Sequence, residues 1–308
     1  MPLWQSWGEV VLQNIKTVVM ASRPNFLVLS FSVVLMATSV ANFQGFSWSW
    51  WLFVMTIFGA VLAHAAVNLL NEFQDNQSGL DFITDKTPFS GGSGALQLNP
   101  QAAESVWNSF KAIVMVLILL GLLFVYLKGW QILPIGILGL AVIALYTSKI
   151  TKSPLICLIA PGLAFGPLMV VGSYFILTGE ISALVVALSM VPFFLVNNLL
   201  LLNQVPDLNA DKQVGRYNIL MKIGVARAMY VFSAFVLLAL FSLLISINYF
   251  DLPNITMLGL VGFVLAIPMI IIAVKYYDNL DKLMPALGMN VIINISIPAL
   301  IALGLWLA

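Results

Sequence analysis

The chain has 308 residues, 61% of them apolar and 8% charged, with a mean hydropathy of +1.04 and a formal net charge of +1. An ordinary soluble domain is about 25% charged and about 45–50% apolar, so this composition excludes a water-soluble fold and fits a bilayer, whose core accepts apolar helices of about 20 residues. The near-neutral charge offers no case for nucleic acid, and a single cysteine, Cys157, excludes a disulfide framework or a thiolate metal site.

Residues 1–22 come first. Leu3, Trp4, Trp7, Val11, Ile15 and Val18 recur at helical spacing with Glu9, Gln13 and Lys16 between them, the pattern of a helix lying in the membrane interface. The start lacks the basic region and apolar run of a signal peptide. Continuously apolar windows then predict spans at 25–43, 50–71, 108–127, 131–147, 155–177, 182–202, 228–248, 257–274 and 285–307. A barrel strand would alternate every second residue, which these runs do not. The expectation is an all-α polytopic membrane protein of about nine transmembrane helices, one domain over residues 1–308, with Cys157 packed as a small apolar residue in span five.

Basic residues orient it. Of thirteen Lys and Arg, twelve precede span one or follow spans two, four, six and eight; only Lys128 lies on the other side. The positive-inside rule predicts a cytoplasmic N-terminus and cytoplasmic even-numbered loops, with the C-terminus outside.

Six of the twelve acids occupy two of those loops. The first contains Asn68, Asn71, Glu72, Asp75, Asp81 and Asp85; the second contains Asn203, Asp207, Asp211 and Arg216. Both begin Asn-x-x-x-Asp at the end of an apolar span, four spans apart, which reads as two pseudo-repeated halves. Residues three or four apart line one helical face. Pro206 is expected to kink or restart the second helix, and Gly79 to turn Asp81 back toward Asp75. Gathered carboxylates repel one another unless a cation sits among them. Magnesium suits oxygen ligands and is typically held by one or two carboxylates plus substrate phosphates. Taken singly, each acid reads as a solvated loop residue; two matched clusters on one side point to a site.

The paired loops resemble the two aspartate motifs of the UbiA superfamily of intramembrane prenyltransferases. Arg23-Pro24, Tyr146-Thr147, the stretch from Gly162 to Gly179, and Lys86-Thr-Pro-Phe-Ser-Gly-Gly-Ser-Gly94 are similar to that family, the last run most of all to its dihydroxynaphthoate (menaquinone-pathway) branch. Departures are Glu72 where Asp is frequent, Pro206 in place of a basic residue, and Tyr217-Asn218 after Arg216. The resemblance implies a central chamber, isoprenyl diphosphate as donor, and Mg2+ bound with the diphosphate by Asn71, Asp75, Asp81, Asn203, Asp207 and Asp211. Lys86, Lys149, Lys152, Arg216 and Arg23 lie on the same side and would hold the diphosphate, although a cytoplasmic lysine also serves simply to anchor topology. Tyr146 would steady an allylic cation through its ring or orient an aromatic acceptor, or act as an interfacial anchor.

Ser90–Gly94 reads either as a lid or as a linker. His64, on the face of Asn68 and Asp75, reads first as a packed, hydrogen-bonded histidine and second as a functional group. Asn197 and Asn198 are expected to bond neighbouring helices. A transporter is the rival class, against which every Asp and Glu lies at a span end or in a loop. Other acceptors within the enzyme class are hydroxybenzoate, homogentisate, haem or a glycerol phosphate lipid.

Overall fold

The computed structural model describes the backbone of residues 3–84 and 86–308, and side chains from Gly8 onward except those of Asp81 and Asp85. The expectations placed on the side chains of Leu3, Trp4, Trp7 and Asp81 therefore lie outside the described residues.

Helix α1 (Leu3–Ala21) leaves Val10, Val11, Leu12, Ile15 and Val19 exposed while Thr17 is buried. Asn99 ties it down by donating to Asn14 Oδ1 and Thr17 Oγ1, each at 3.1 Å. The chain breaks at Arg23, whose φ of 54° is left-handed, and Pro24 opens the next helix where no N–H is needed. Asn68 Nδ2 donates to Ser22 O at 2.9 Å and holds that break.

Among the described residues nine apolar helices follow: α2 (Pro24–Phe43), α3 (Trp50–Ser78), α4 (Pro100–Lys128), α5 (Trp130–Leu145), α6 (Pro154–Thr178), α7 (Ala183–Gln213), α8 (Val225–Tyr249), α9 (Asn254–Tyr276) and α10 (Leu280–Trp306). Each covers one of the nine predicted spans. Eight are long enough to cross a bilayer; α5 is the shorter one, roughly 24 Å at 1.5 Å per residue against a hydrocarbon core of about 30 Å. The protein is an integral membrane protein, and among its described residues there is no strand.

In lipid, helix association rests on close packing and interhelical hydrogen bonds rather than on the hydrophobic effect. Helix α6 shows how close that packing is. Pro161 and Pro167 lie inside it, and Ala164–Val171 widens into a π-helix that absorbs the lost ladder bonds. Gly162 and Gly166 press against α7: a Cβ on either would run into the backbone carbonyl of Phe193 or Ser189. Gly162 N donates to Asn197 Oδ1 at 2.6 Å. Asn198 Nδ2 donates to Phe232 O of α8 at 2.7 Å, and Asn290 Nδ2 of α10 to Asn198 O at 3.0 Å. The two asparagines thus link helices as expected. Cys157 is buried, accepting from Gln204 Nε2 at 3.3 Å.

Pro206 does not restart the second motif's helix: α7 is helical without a break from Ala183 to Gln213. The proline removes only one backbone donor, and α7 is packed against α6, α8 and α10. Helices α2, α6, α7, α8, α9 and α10 share one large core, while α1, α3 and α4 share a second.

Candidate active site

A cavity of about 620 Å³ lies between α2–α7, and α8–α10 stand behind it without lining it. Its long wall is apolar, drawn from α4 (Leu117 to Val125), α5 (Ile132 to Ile143) and α6. Its other end gathers Arg23, Asn71, Asp75, Tyr146, Asn203, Asp207, Asp211 and Arg216. The two acidic motifs, separated in sequence by four spans, converge here.

Helix periodicity puts Asn68, Asn71 and Asp75 on one face of α3. Asn71 Nδ2 donates to Asp75 Oδ2 at 2.8 Å, and Thr147 Oγ1 donates to Asn71 Oδ1 at 3.1 Å. Arg216 then joins the motifs: Nη2 pairs with Asp75 Oδ1, and Nη1 donates to Asp211 Oδ1 at 3.1 Å. Burial alone would lower the Arg216 guanidinium, but the Asp75 and Asp211 carboxylates outweigh it and raise it, so the cation is held charged. Asn218 Nδ2 completes Asp211, donating to Oδ2 at 3.3 Å, and its Oδ1 caps the Ile219–Ile223 helix.

The second motif is less satisfied. Gly91 N donates to Asp207 Oδ2 at 3.3 Å, but Asp207 Oδ1 and Asn203 Oδ1 are buried without a hydrogen-bond partner among the described residues. So is Arg23 Nε. Buried polar atoms are ordinarily paired. Two unpaired oxygens and an unpaired guanidinium N–H lining one cavity have the chemistry to receive a cation and an anion. Among the described residues no group of three His, Cys, Asp or Glu is close enough to chelate a metal alone. That suits magnesium, which takes few protein carboxylates and completes its shell with water and phosphate. The oxygens present fit it.

Ser90, Gly91 and Gly92 line the same end, on a loop where Gly91, Gly92 and Gly94 all have left-handed φ near 80°. Glu72 organises that loop. Fully buried, it accepts Ser93 N at 3.0 Å and Leu96 N at 3.4 Å. The residue that departs from Asn-Asp therefore serves the loop, one position off the face of Asn71 and Asp75. Gly79 is left-handed as expected (φ 77°) and turns the chain into Leu80–Ile83, which carries Asp81.

Tyr146 lines the cavity just past the C-terminal end of α5. Lys149, Lys152 and Lys86 are exposed and do not line the cavity. The Lys86 amine lies against Gly94, where a Cβ would displace it. The Ile150–Lys152 turn is docked to the second motif by Tyr217 N donating to Thr151 O at 2.9 Å. His64 is buried below Asn68 with Nδ1 3.0 Å from Ser30 Oγ, the packed and hydrogen-bonded histidine expected. The sequence pattern did not single out Asn218, although it flagged the Tyr217-Asn218 departure that contains it.

Comparison with known proteins bears on this geometry. Residues 29–291 match the model of the UbiA prenyltransferase family. The chain is 28% identical over 236 residues to a 1,4-dihydroxy-2-naphthoate octaprenyltransferase of Bacillus subtilis (strain 168), covering 76% of this chain and 72% of that protein. Its fold is similar to the apo structure of a UbiA homologue from Aeropyrum pernix K1 (TM-score 0.69, 17% identity, 91% and 97% of the two chains). It is also similar to an Archaeoglobus fulgidus UbiA homologue bound to GPP and Mg2+ (TM-score 0.60, 17% identity, 92% and 99%).

Proposed function

The chain belongs to the UbiA prenyltransferase family, and from that premise we propose that it moves an isoprenyl chain from its diphosphate to a dihydroxynaphthoate-type aromatic acceptor, with magnesium. Prenyl transfer is the family's activity. The acceptor class rests on the Bacillus subtilis relative, and magnesium on the Archaeoglobus fulgidus homologue. The observation that carries the reading is the convergence, at one end of an apolar cavity, of unpaired Asn203 Oδ1, Asp207 Oδ1 and Arg23 Nε.

Asn203 and Asp207 would hold the magnesium through those oxygens, with Asn71, Asp75 and Asp211 on the same cavity and Asp81 added by the resemblance alone. The ion, when bound, neutralises the charge that develops on the departing diphosphate. Arg23 and Arg216 hold the diphosphate oxygens, and Lys86, Lys149 and Lys152 add positive charge around the mouth. Asp75 and Asp211 aim the Arg216 guanidinium, and Glu72 holds the glycine loop against Asp207. The apolar wall of α4–α6 takes the hydrocarbon tail and keeps water from the allylic cation. Tyr146, with its ring at the cavity, would steady that cation or orient the acceptor, whose ring carbon takes the isoprenyl chain and gives up its proton, or its carboxyl group as CO2.

The reading is tested by incubating purified protein with Mg2+, isoprenyl diphosphates of several lengths and dihydroxynaphthoate, then weighing the product. A prenylated naphthol is expected; its absence with every donor would refute the acceptor.

The site end would face the cytoplasm, with the C-terminus outside, as the basic asymmetry requires. Ser78 and Asn209 are exposed at one end of the bundle, Ser47 and Asn254 at the other. In a Cys157→Ser background, an impermeant thiol reagent outside the cell should label Ser47→Cys and Asn254→Cys, and reach Ser78→Cys and Asn209→Cys only after the membrane is opened. Mixed labelling within either pair would break the topology.

A further inference from the structure

One polar group of the cavity lies outside both acidic motifs. His64, the only histidine in the chain, is 8% exposed and lines the cavity from α3. Its Nδ1 is taken up by Ser30 Oγ at 3.0 Å, and its ring meets the edge of Phe165 with centroids 4.7 Å apart at 79°. Among the described residues Nε2 has no hydrogen-bond partner. The position lies seven residues deeper than Asn71, about 10 Å along the helix axis. In the proposed function this places His64 on the hydrocarbon side of the diphosphate, where the acceptor ring would approach the allylic carbon.

His64 Nε2 is open to the cavity rather than sealed in the core, and the two ligands differ in what they can offer it. The isoprenoid tail is hydrocarbon throughout and offers no hydrogen bond. The acceptor alone carries oxygen substituents below the diphosphate. We infer that His64 Nε2 binds a ring hydroxyl of the aromatic acceptor, with Phe165 against the ring, and so sets which ring positions face the isoprenyl chain. A hydroxyl suits either tautomer of His64, because it both donates and accepts. The inference rests on the aromatic-acceptor reading above and deepens it.

The experiment compares wild type, His64→Phe and His64→Gln in the presence of Mg2+, using isoprenyl diphosphate and 1,4-dihydroxy-2-naphthoate. Two naphthoates lacking one or the other hydroxyl serve as competitors. Donor binding by each variant shows that it is folded. His64→Phe should raise the acceptor KM about tenfold while the donor KM moves less than about twofold, and His64→Gln should recover part of the loss. Wild type should bind one of the competitors about tenfold more weakly than the parent compound, and His64→Phe should lose that discrimination. An unchanged acceptor KM in His64→Phe, discrimination retained, or donor and acceptor KM rising together would overturn the inference while leaving the enzyme's activity in place. Wild-type protein that binds the donor yet prenylates no naphthoate would instead overturn the acceptor reading, and the inference with it.

Discussion

The two acidic motifs share the spacing Asn-x-x-x-Asp, yet the ends of α3 and α7 are chemically unlike. On α3 every principal group is occupied: Asn71 bonds Thr147 and Asp75, Asp75 is paired with Arg216, and Glu72 accepts two loop amides. On α7, Asn203 Oδ1 and Asp207 Oδ1 wait without partners. Similar spacing therefore does not mean similar duty. In the proposed function the first motif would position Arg216 and the glycine loop, and the second would offer its open oxygens to a cation.

That asymmetry can be broken by paired substitutions. The largest effect expected is on turnover, where Asp207→Asn replaces a carboxylate whose Oδ1 has no partner among the described residues and should cost about 10²–10³-fold or more. Asp75→Asn should also abolish most turnover, but by releasing Arg216 rather than by losing an open ligand. Stability separates the two. Asp75→Asn withdraws a carboxylate from a buried guanidinium and should destabilise the metal-free protein by about 2 kcal/mol. Asp207→Asn relieves a buried, half-paired charge and should leave the metal-free melting temperature unchanged or raised. Equal destabilisation by both would erase the proposed difference between the motifs.

Arg216→Ala sharpens the comparison from the other side. It leaves Asp75 and Asp211 facing each other without their shared cation, so melting in EDTA should fall, and added Mg2+ should restore more stability than it adds to wild type. A Mg2+ response no larger than wild type's would show that Arg216 does not stand between the carboxylates. The smallest effect belongs to Glu72→Gln. It keeps one acceptor for the loop amides and loses the other, so turnover should drop about tenfold, with faster proteolysis confined to the Ser90–Gly94 loop. A fall as deep as that of Asp207→Asn would mean Glu72 is a ligand after all.

Much of this was legible beforehand for a physical reason. A bilayer forces each span to announce itself as a continuous apolar run, so all nine segments coincide with helices, the short α5 included. The motif faces followed from a 3.6-residue period. What the sequence could not carry is pairing between distant elements. Arg216 reaches Asp75 across 141 positions, and Ser93 reaches Glu72 across 21; no local spacing encodes either. Pro206 misled because the rule against interior proline weighs one lost bond, while α7 is held by its packing against α6 and α8. The π-helical stretch of α6 shows the same dominance of packing over local preference.

The central claim is that the oxygens left open on α7 receive the metal that holds the donor. Equilibrium binding of a labelled isoprenyl diphosphate to purified protein, with Mg2+ and again in excess EDTA, tests it on wild type and Asp207→Asn. The account predicts tight binding only for wild type with Mg2+, and weak, metal-indifferent binding for the variant. Equal affinity in EDTA, or a full Mg2+ response in Asp207→Asn, would contradict it.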